Sequence, residues 1–562
     1  MKIISYLSAL CCLVLLAWSC SEDFLDTPPQ GVLAESNLTA QEGIEAALIS
    51  AYTRLDGWNN DWGNNAWGGA ASNYLFASVP SDDTHKGSEP ADGVEAQQVE
   101  LYQWNPSNPD FQSKFLFMYD GVRRANETLS LLAGNTDISD SDRNRIAGEA
   151  RFLRGHYHME LWKIWKNVPY FSEADEDLRK PNDQDIFPLI EADLTEAANL
   201  LPTSQSDVGR ANSRAANALL GRLYMLNNDY SSAEQAFNKL SGFSLNDCFH
   251  DMFTLEGENG PEMIFSVQAS VNDGTSDGAN ANFSERLTFP HAGSPFGCCG
   301  FNQPTQNLVN AYRVDGNGLP LRDNTFDTNP TPDQPVDPRL DWTVGRDDVP
   351  FLNWGKHAPS WIRDREYSSE YSGKKFSHDL GEESSVGWTS NQLTAVNIPI
   401  IRYADVLLYQ AEIDVSAGRL EDARAKVNMI RERAGNCAQG SDNIPVPLDD
   451  PVITWATYSV EPYTQPWTDA VAAREAVRLE RRLELALEGR RLFDLRRYAI
   501  HDNSNYFVET LTDYLAVEKT RRPFLQQANT PTTDNYYFPI PSTAILRSQV
   551  DGVPTLRQNP GY

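Results

Sequence analysis

Basic residues are scarce in this 562-residue chain. Its 47 lysines and arginines face 78 aspartates and glutamates, a formal net charge of −31. A surface of that sign repels nucleic acid and anionic headgroups, so neither is expected as a partner, and solubility is its plain meaning. Cysteine is scarce as well. There are seven, with no CxxC spacing, which leaves zinc and thioredoxin-like chemistry without support. No stretch after residue 18 approaches a membrane span. There is no phosphate loop, no HExxH and no serine elbow. His156 and His158 are two apart, so on a helix they face different directions and read as packing or surface residues. Asp273 to Gly278 and Asp315 to Gly318 hold calcium-type ligands, but not at EF-hand spacing, and read as turns. No metal and no other cofactor is expected.

What is present begins with an export signal. Lys2 precedes an apolar run from Ile3 to Trp18, which ends at Ser19-Cys20 and turns abruptly polar. A small residue before a cysteine resembles a bacterial lipobox, with Ala17 and Trp18 in place of the usual leucine and small residue. Residues 1–19 then form the signal, Cys20 is the lipidated terminus, and 20–39 is an extended leader. One acyl chain holds a membrane only marginally, so a lasting anchor needs more than one. The alternative is an ordinary secretory signal with a free cysteine.

The stretch from Asn212 to Leu240 organises the body. Leu220-Gly221, Tyr224, Tyr230, Ala233 and Phe237 follow the tetratricopeptide spacing. Gly221 and Ala233 are small where two helices cross, the aromatics fill the groove, and Asn227-Asn228-Asp229 makes the turn. One hairpin cannot bury its own apolar face, so others must stack on it. Helical periodicity also marks Ala40 to Leu55, Phe111 to Leu132, Asp142 to Trp165, Asp185 to Leu200 and Ile401 to Ala417. A second hairpin carries Ala411, Gly418, Leu420, Ala423 and Val427. Arg474 to Tyr498 reads as one long helix whose Arg490, Arg491, Arg496 and Arg497 are balanced by Glu484, Glu488 and Asp494 in a salt-bridged face. The mainly α body divides into 40–242, an irregular region with short strands at 243–397, and a helical 398–562.

Two irregular stretches carry binding chemistry. Asp56 to Ala70 places Trp58, Trp62 and Trp67 among glycines and asparagines, a composition no stable helix or core strand has. Aromatic faces suit the C–H faces of neutral sugars, and side chains such as Asn60, Asp61 and Asn65 suit their hydroxyls. The competing reading is that these tryptophans pack the loop onto the body. Trp354 and Trp361, in the second stretch, are further candidates. Cys298 and Cys299 form either a vicinal disulfide or two small buried apolar residues. Asp82-Asp83 reads as a loop cap, and no acid stands out as one of the paired carboxylates a glycoside hydrolase needs.

Five segments together resemble the SusD/RagB family of outer-membrane nutrient-binding lipoproteins of Bacteroidetes. They are the lipobox leader, GEARFLRGHYHMELWKIWKNVPYF from Gly148, IPIIRYADVLLYQAE from Ile398, the Arg474–Tyr498 helix ending LELALEGRRLFDLRRY, and the terminal QNPGY. Asp337-Pro338-Arg339-Leu340 is a smaller match. The resemblance implies a mainly α, tetratricopeptide-like scaffold whose irregular loops bind ligand. It implies a non-enzymatic lid on a SusC-like TonB-dependent barrel, lipid-anchored through Cys20 in the outer membrane and facing outward. Ser21-Glu22-Asp23 resembles the family's surface-export tag. The implied ligand is a glycan, with peptide or another nutrient as the alternative. A cytosolic tetratricopeptide adaptor is the remaining rival, and the export signal opposes it.

Overall fold

The computed structural model describes residues 40–57, 66–283, 285–291, 293–387 and 390–562. The expected signal, Cys20 and the leader lie outside the described residues. Eleven helices of eight residues or more carry the body among the described residues: α1 (Gln41–Tyr52), α2 (Pro109–Gly134), α3 (Asp140–Trp165), α4 (Phe187–Leu200), α5 (Ser213–Leu226), α6 (Tyr230–Phe237), α7 (Tyr403–Ser416), α8 (Leu420–Ala434), α9 (Ala470–Leu485), α10 (Arg491–Asp502) and α11 (Tyr506–Arg521). Each helix from α1 to α8 packs on the next, and α7 also packs on α9.

The α5–α6 hairpin forms as its spacing requires. Asn212 caps α5 by accepting from the Ala215 amide at 3.0 Å, and Asp229 caps α6 from Ser232 at 3.0 Å. A side chain on Gly221 would place its Cβ 2.2 Å from the Phe237 ring, so only glycine permits the crossing. Phe237 then stacks on Tyr409 of α7, with centroids 5.8 Å apart. That contact joins the first hairpin to the second. The second turns at Gly418, whose φ of +75° favours glycine.

Strands are short and come in two-stranded pairs among the described residues. β1 (Thr84–Gly87) runs antiparallel to β3 (Phe301–Pro304), and β2 (Met263–Val267) to β4 (Ile398–Arg402). β4 occupies what periodicity reads as the start of a helix at Ile401. Its isoleucines are buried and favour a pleated surface, and the helix begins only at Tyr403.

The stretch from Arg474 to Tyr498 is two helices, not one. α9 stops at Leu485 and α10 starts at Arg491. The cause lies far away in sequence. Lys375 Nζ donates to the carbonyls of Glu484 at 3.1 Å and Ala486 at 2.8 Å, and Arg402 donates to the Glu484 carbonyl at 2.9 Å. These cations satisfy the carbonyls a helix end leaves unpaired. Gly489, at φ +66°, lies so close to the Ser72 carbonyl that a Cβ would fall 1.5 Å from its oxygen.

Around this break sits a charge-balanced interior. Arg339, Lys375, Arg402, Arg431 and Arg433 face Glu262, Asp337, Glu480, Glu484 and Glu488, and none is more than 3% exposed. Arg402 contacts Glu262 and Glu484 at 2.6 Å each and Glu488 at 2.7 Å. Arg339 joins Asp337 at 2.7 Å, Glu480 at 2.6 Å and Glu484 at 3.1 Å. Buried charges persist only when paired and hydrogen-bonded, as these are. The arginines of α10 are likewise interior. Arg491 holds Asp82 at 2.7 Å, Arg497 holds Glu412 and Asp494, and Arg496 donates to the Lys163 carbonyl at 2.7 Å. A Cys248–Cys437 disulfide adds a covalent tie between the irregular region and the residues after α8.

Candidate functional site

The irregular stretches meet on one face. The Trp-rich stretch leaves the scaffold at Gly57 and returns at the short helix Ala66–Gly69. Its ends are pinned together, because a Cβ on Gly57 would fall 1.6 Å from the Gly69 carbonyl oxygen. Trp58, Asn60, Asp61, Trp62 and Asn65 lie outside the described residues. Trp67 is described and half-buried. Its ring meets Phe301 edge-on at 5.4 Å. Its indole N–H is buried and has no acceptor among the described residues. Beside Gly57 opens a cavity of about 670 Å³, lined in part by Tyr52, Arg54, Asp56, Arg210, Gln268 and Asn280.

Phe301 stands on β3, paired with Gly87 of β1. Lys86 reaches over the Phe301 ring at 5.7 Å and the Tyr367 ring at 4.9 Å, and donates to the carbonyls of Glu89 and Asp92. Burial pushes the Lys86 ammonium down to about 8. Arg363 closes this corner by pairing with Asp92 at 2.8 Å and with Glu89.

The chain then returns through Leu287, Phe289 and Phe296 to a second aromatic group. Phe289 and Phe296 are 5.2 Å apart, and Phe296 and Trp354 are 4.9 Å apart. Trp354 is half-buried and its indole donates to the His378 carbonyl at 2.7 Å. Trp361 is only 6% exposed, packed against Phe351 at 5.4 Å and His357 at 5.3 Å. Trp361 therefore supports the cluster from inside. Between the two groups lies Cys298–Cys299, which is disulfide-bonded, with Cys298 packed beside Trp67 and Phe301. The structure thus gathers Trp354 and Trp361 into one aromatic group and places Trp67 in another with Phe301.

A family model described as SusD family matches residues 261–562, more than half the chain, and a second, described as starch-binding associating with outer membrane, matches 23–225. The chain belongs to the SusD family. A SusD-like protein of Bacteroides ovatus is 24% identical over 276 residues, 45% of this chain and 48% of that protein. SusD-like protein P38 of Formosa agariphila is 24% identical over 515 residues, 85% of this chain and 88% of that one. Among solved structures, surface glycan-binding protein A of Bacteroides thetaiotaomicron, in complex with laminarihexaose, is similar at 21% identity with a TM-score of 0.66, covering 92% of this chain and 99% of that one. That likeness establishes the fold, a SusD-type helical scaffold with few short strands.

Within this SusD scaffold the other candidates have structural occupations. Asp82 and Asp83 are buried. Burial alone would raise Asp82; Arg482 and Arg491 outweigh it and hold the carboxyl below the usual range. Asp273 accepts from Ser270, Thr275 and Asn280, and Asp315 from the Asn317 and Leu319 amides, so both close turns. Among the described residues no group of three or more His, Cys, Asp or Glu could hold a metal ion. His158 is buried, with Nδ1 3.1 Å from the Arg154 carbonyl, and accepts from the Phe171 amide at 3.2 Å. Burial and Arg154 push it down to about 3. His156 is buried too. No helix among the described residues is long and apolar enough to cross a membrane. Sequence reasoning missed Phe289, Phe296 and Phe301. Their one available signal was their place around the Cys298-Cys299 pair.

Proposed function

We propose that this SusD-family chain is a cell-surface lipoprotein that binds a neutral oligo- or polysaccharide and passes it to a SusC-like TonB-dependent barrel. The observation that carries the glycan reading is the pair of aromatic groups, Trp67 on Phe301 and Phe296 on the half-buried Trp354, with the Cys298–Cys299 segment between them. Apolar rings flanked by a few placed polar groups, here Arg363, Asp92 and His291, match the chemistry of a sugar. A relative of the same fold holds laminarihexaose. Two disulfides, Cys248–Cys437 and Cys298–Cys299, fit an oxidising compartment and so support export. Cys20 carries the lipid anchor in this reading, at the outer membrane and facing outward. Trp58, Asn60, Asp61 and Trp62, outside the described residues, are further ligand contacts in this reading. The chain binds and delivers rather than cleaves, since the adjacent acids Asp82 and Asp83 are held by arginines in the interior.

The test is binding of a soluble form starting at Ser21 to a glycan and peptide panel that includes laminarihexaose. Trp354→Ala should weaken glycan binding about 30-fold or more, the range of a central aromatic anchor, and Trp58→Ala/Trp62→Ala/Trp67→Ala should do the same. Peptides alone binding would replace the glycan reading with its alternative. Copurification of the native chain with a large barrel protein checks the partner. Release of Cys20→Ala from membranes checks the anchor.

A further inference from the structure

The Cys298–Cys299 disulfide has no part in the scaffold. It lies between the two aromatic groups of the candidate site. On one side Cys298 and Cys299 pack with Leu287, Phe301 and Trp67. On the other, the amides of Cys299 and Gly300 both donate to the Phe289 carbonyl, at 3.1 Å and 2.7 Å, and Phe289 leads to Phe296 and Trp354. Adjacent cysteines joined in a ring lose most of their torsional freedom. The bond therefore stiffens a backbone segment that touches both groups, as the neighbouring segment from Leu287 to Phe289 also does. Gly297 beside it is exposed, and a side chain there would meet nothing within 4 Å, while Gln392 donates to the Phe296 carbonyl at 3.2 Å and the Ser88 amide to the Gly300 carbonyl at 2.7 Å on either side. A further link between the groups is Arg363 on Asp92 and Glu89, about one-third exposed on each partner, and exposed ion pairs contribute little.

We infer that the Cys298–Cys299 disulfide is a positioning element of the glycan site: it sets the spacing of the Trp67–Phe301 group relative to the Phe296–Trp354 group, and through it the preference for ligands long enough to reach both. The inference rests on the glycan reading above. Two linked contact groups reward a ligand that spans them only while their separation is preorganised. A short fragment that fills one group gains nothing from that separation.

The experiment is a chain-length series. Oligosaccharides of two to eight units, from whichever glycan the panel identifies, are titrated calorimetrically against the soluble form and against Cys298→Ala/Cys299→Ala. Expected is a loss of about tenfold or more for the longest ligands, with the shortest binders within about twofold. The circular dichroism spectrum and the urea midpoint should match the unaltered protein. Equal affinities along the whole series would overturn the inference and leave the glycan reading standing. A uniform loss at every length would also overturn it, because a merely structural role or a direct contact predicts that pattern. If the double variant fails to fold, the wild-type protein is reduced with a phosphine and alkylated, the modified cysteines are mapped by mass spectrometry, and the fraction reduced at 298 and 299 is titrated with the same series. Binding of no glycan by the unaltered protein removes the parent reading and the inference together.

Discussion

Neutralising Glu484 should loosen the whole interior. Its carboxylate is fully buried and accepts from Arg402 at 2.6 Å, from Arg339 at 3.1 Å and from Arg433. Glu484→Gln keeps the shape but leaves five buried cations facing four acids. Its amide also turns N–H donors toward guanidinium donors. A pair of charges about 4 Å apart is worth about 4 kcal/mol at an effective dielectric near 20. Desolvation of several kcal/mol per ion offsets much of that gain, but removing one partner of a buried pair leaves an uncompensated charge and costs about 3–5 kcal/mol. The variant should lose about that much in urea unfolding at pH 7, followed by circular dichroism and tryptophan fluorescence together. The exposed Glu509→Gln should stay within about 0.5 kcal/mol. The pH dependence has a definite sign. Burial alone would raise Glu484, but Arg433, Arg402 and Arg339 hold it below the ordinary range. As pH falls below about 4.3, the unfolded chain is therefore the one that takes the proton. The stabilisation is whole above that pH and is lost as pH drops toward the folded value, so Glu484→Gln should flatten the acid limb of the stability profile. A variant within about 1 kcal/mol of wild type, with an unchanged acid limb, would refute the reasoning by showing that the arginines re-pair without it.

Other outcomes follow from the same structure. Gly221→Leu should destabilise the α5–α6 hairpin by at least about 1–3 kcal/mol, since its Cβ would lie 2.2 Å from the Phe237 ring; urea unfolding measures it. Cys248→Ala/Cys437→Ala should lose about 2–4 kcal/mol by removing a tie across 189 residues, and a thermal scan under oxidising and reducing conditions checks the difference. Burial, with neighbouring cations, pushes His156 down to about 4 and His158 and His250 to about 3. All three should stay neutral by NMR between about pH 5 and 8. Because the unfolded chain binds these protons first, stability should be full above about pH 6.5 and fall below it by up to about 1.4 kcal/mol per pH unit for each histidine.

The helical scaffold was legible because its signals are local. The spacing of Gly221, Ala233 and Phe237 names a close crossing, and the structure has one. The single helix read from Arg474 to Tyr498 failed for the opposite reason. Its periodicity is sound, but Lys375 and Arg402 take the carbonyls that would have continued it, and nothing in the local sequence announces them. The arginines of α10 read as a face salt-bridged to Glu484, Glu488 and Asp494 because those acids lie near them in sequence, and Arg497 does pair with Asp494. Their partners include Asp82 and Glu412, far away in the chain. At the candidate site, tryptophans in glycine-rich stretches were visible by composition. The phenylalanines beside them, Phe301 at Trp67 and Phe296 at Trp354, were not, because adjacency between residues so far apart in the chain is a property of the fold.

The buried ring of charges also sets the order in which the molecule can be made. Glu262 and Lys375 come off the ribosome before their partners, Arg402 and Arg433 for the one and Glu488 for the other, and neither is neutralised in the interior until those arrive. A nascent chain stopped short of Glu488 would hold uncompensated charges and so could not close its core. The irregular region that carries Glu262, Arg339 and Lys375 would stay unformed with it. Whatever the face binds, it should therefore become competent late and all at once, which pulse-chase protease protection on stalled chains would record as a single step.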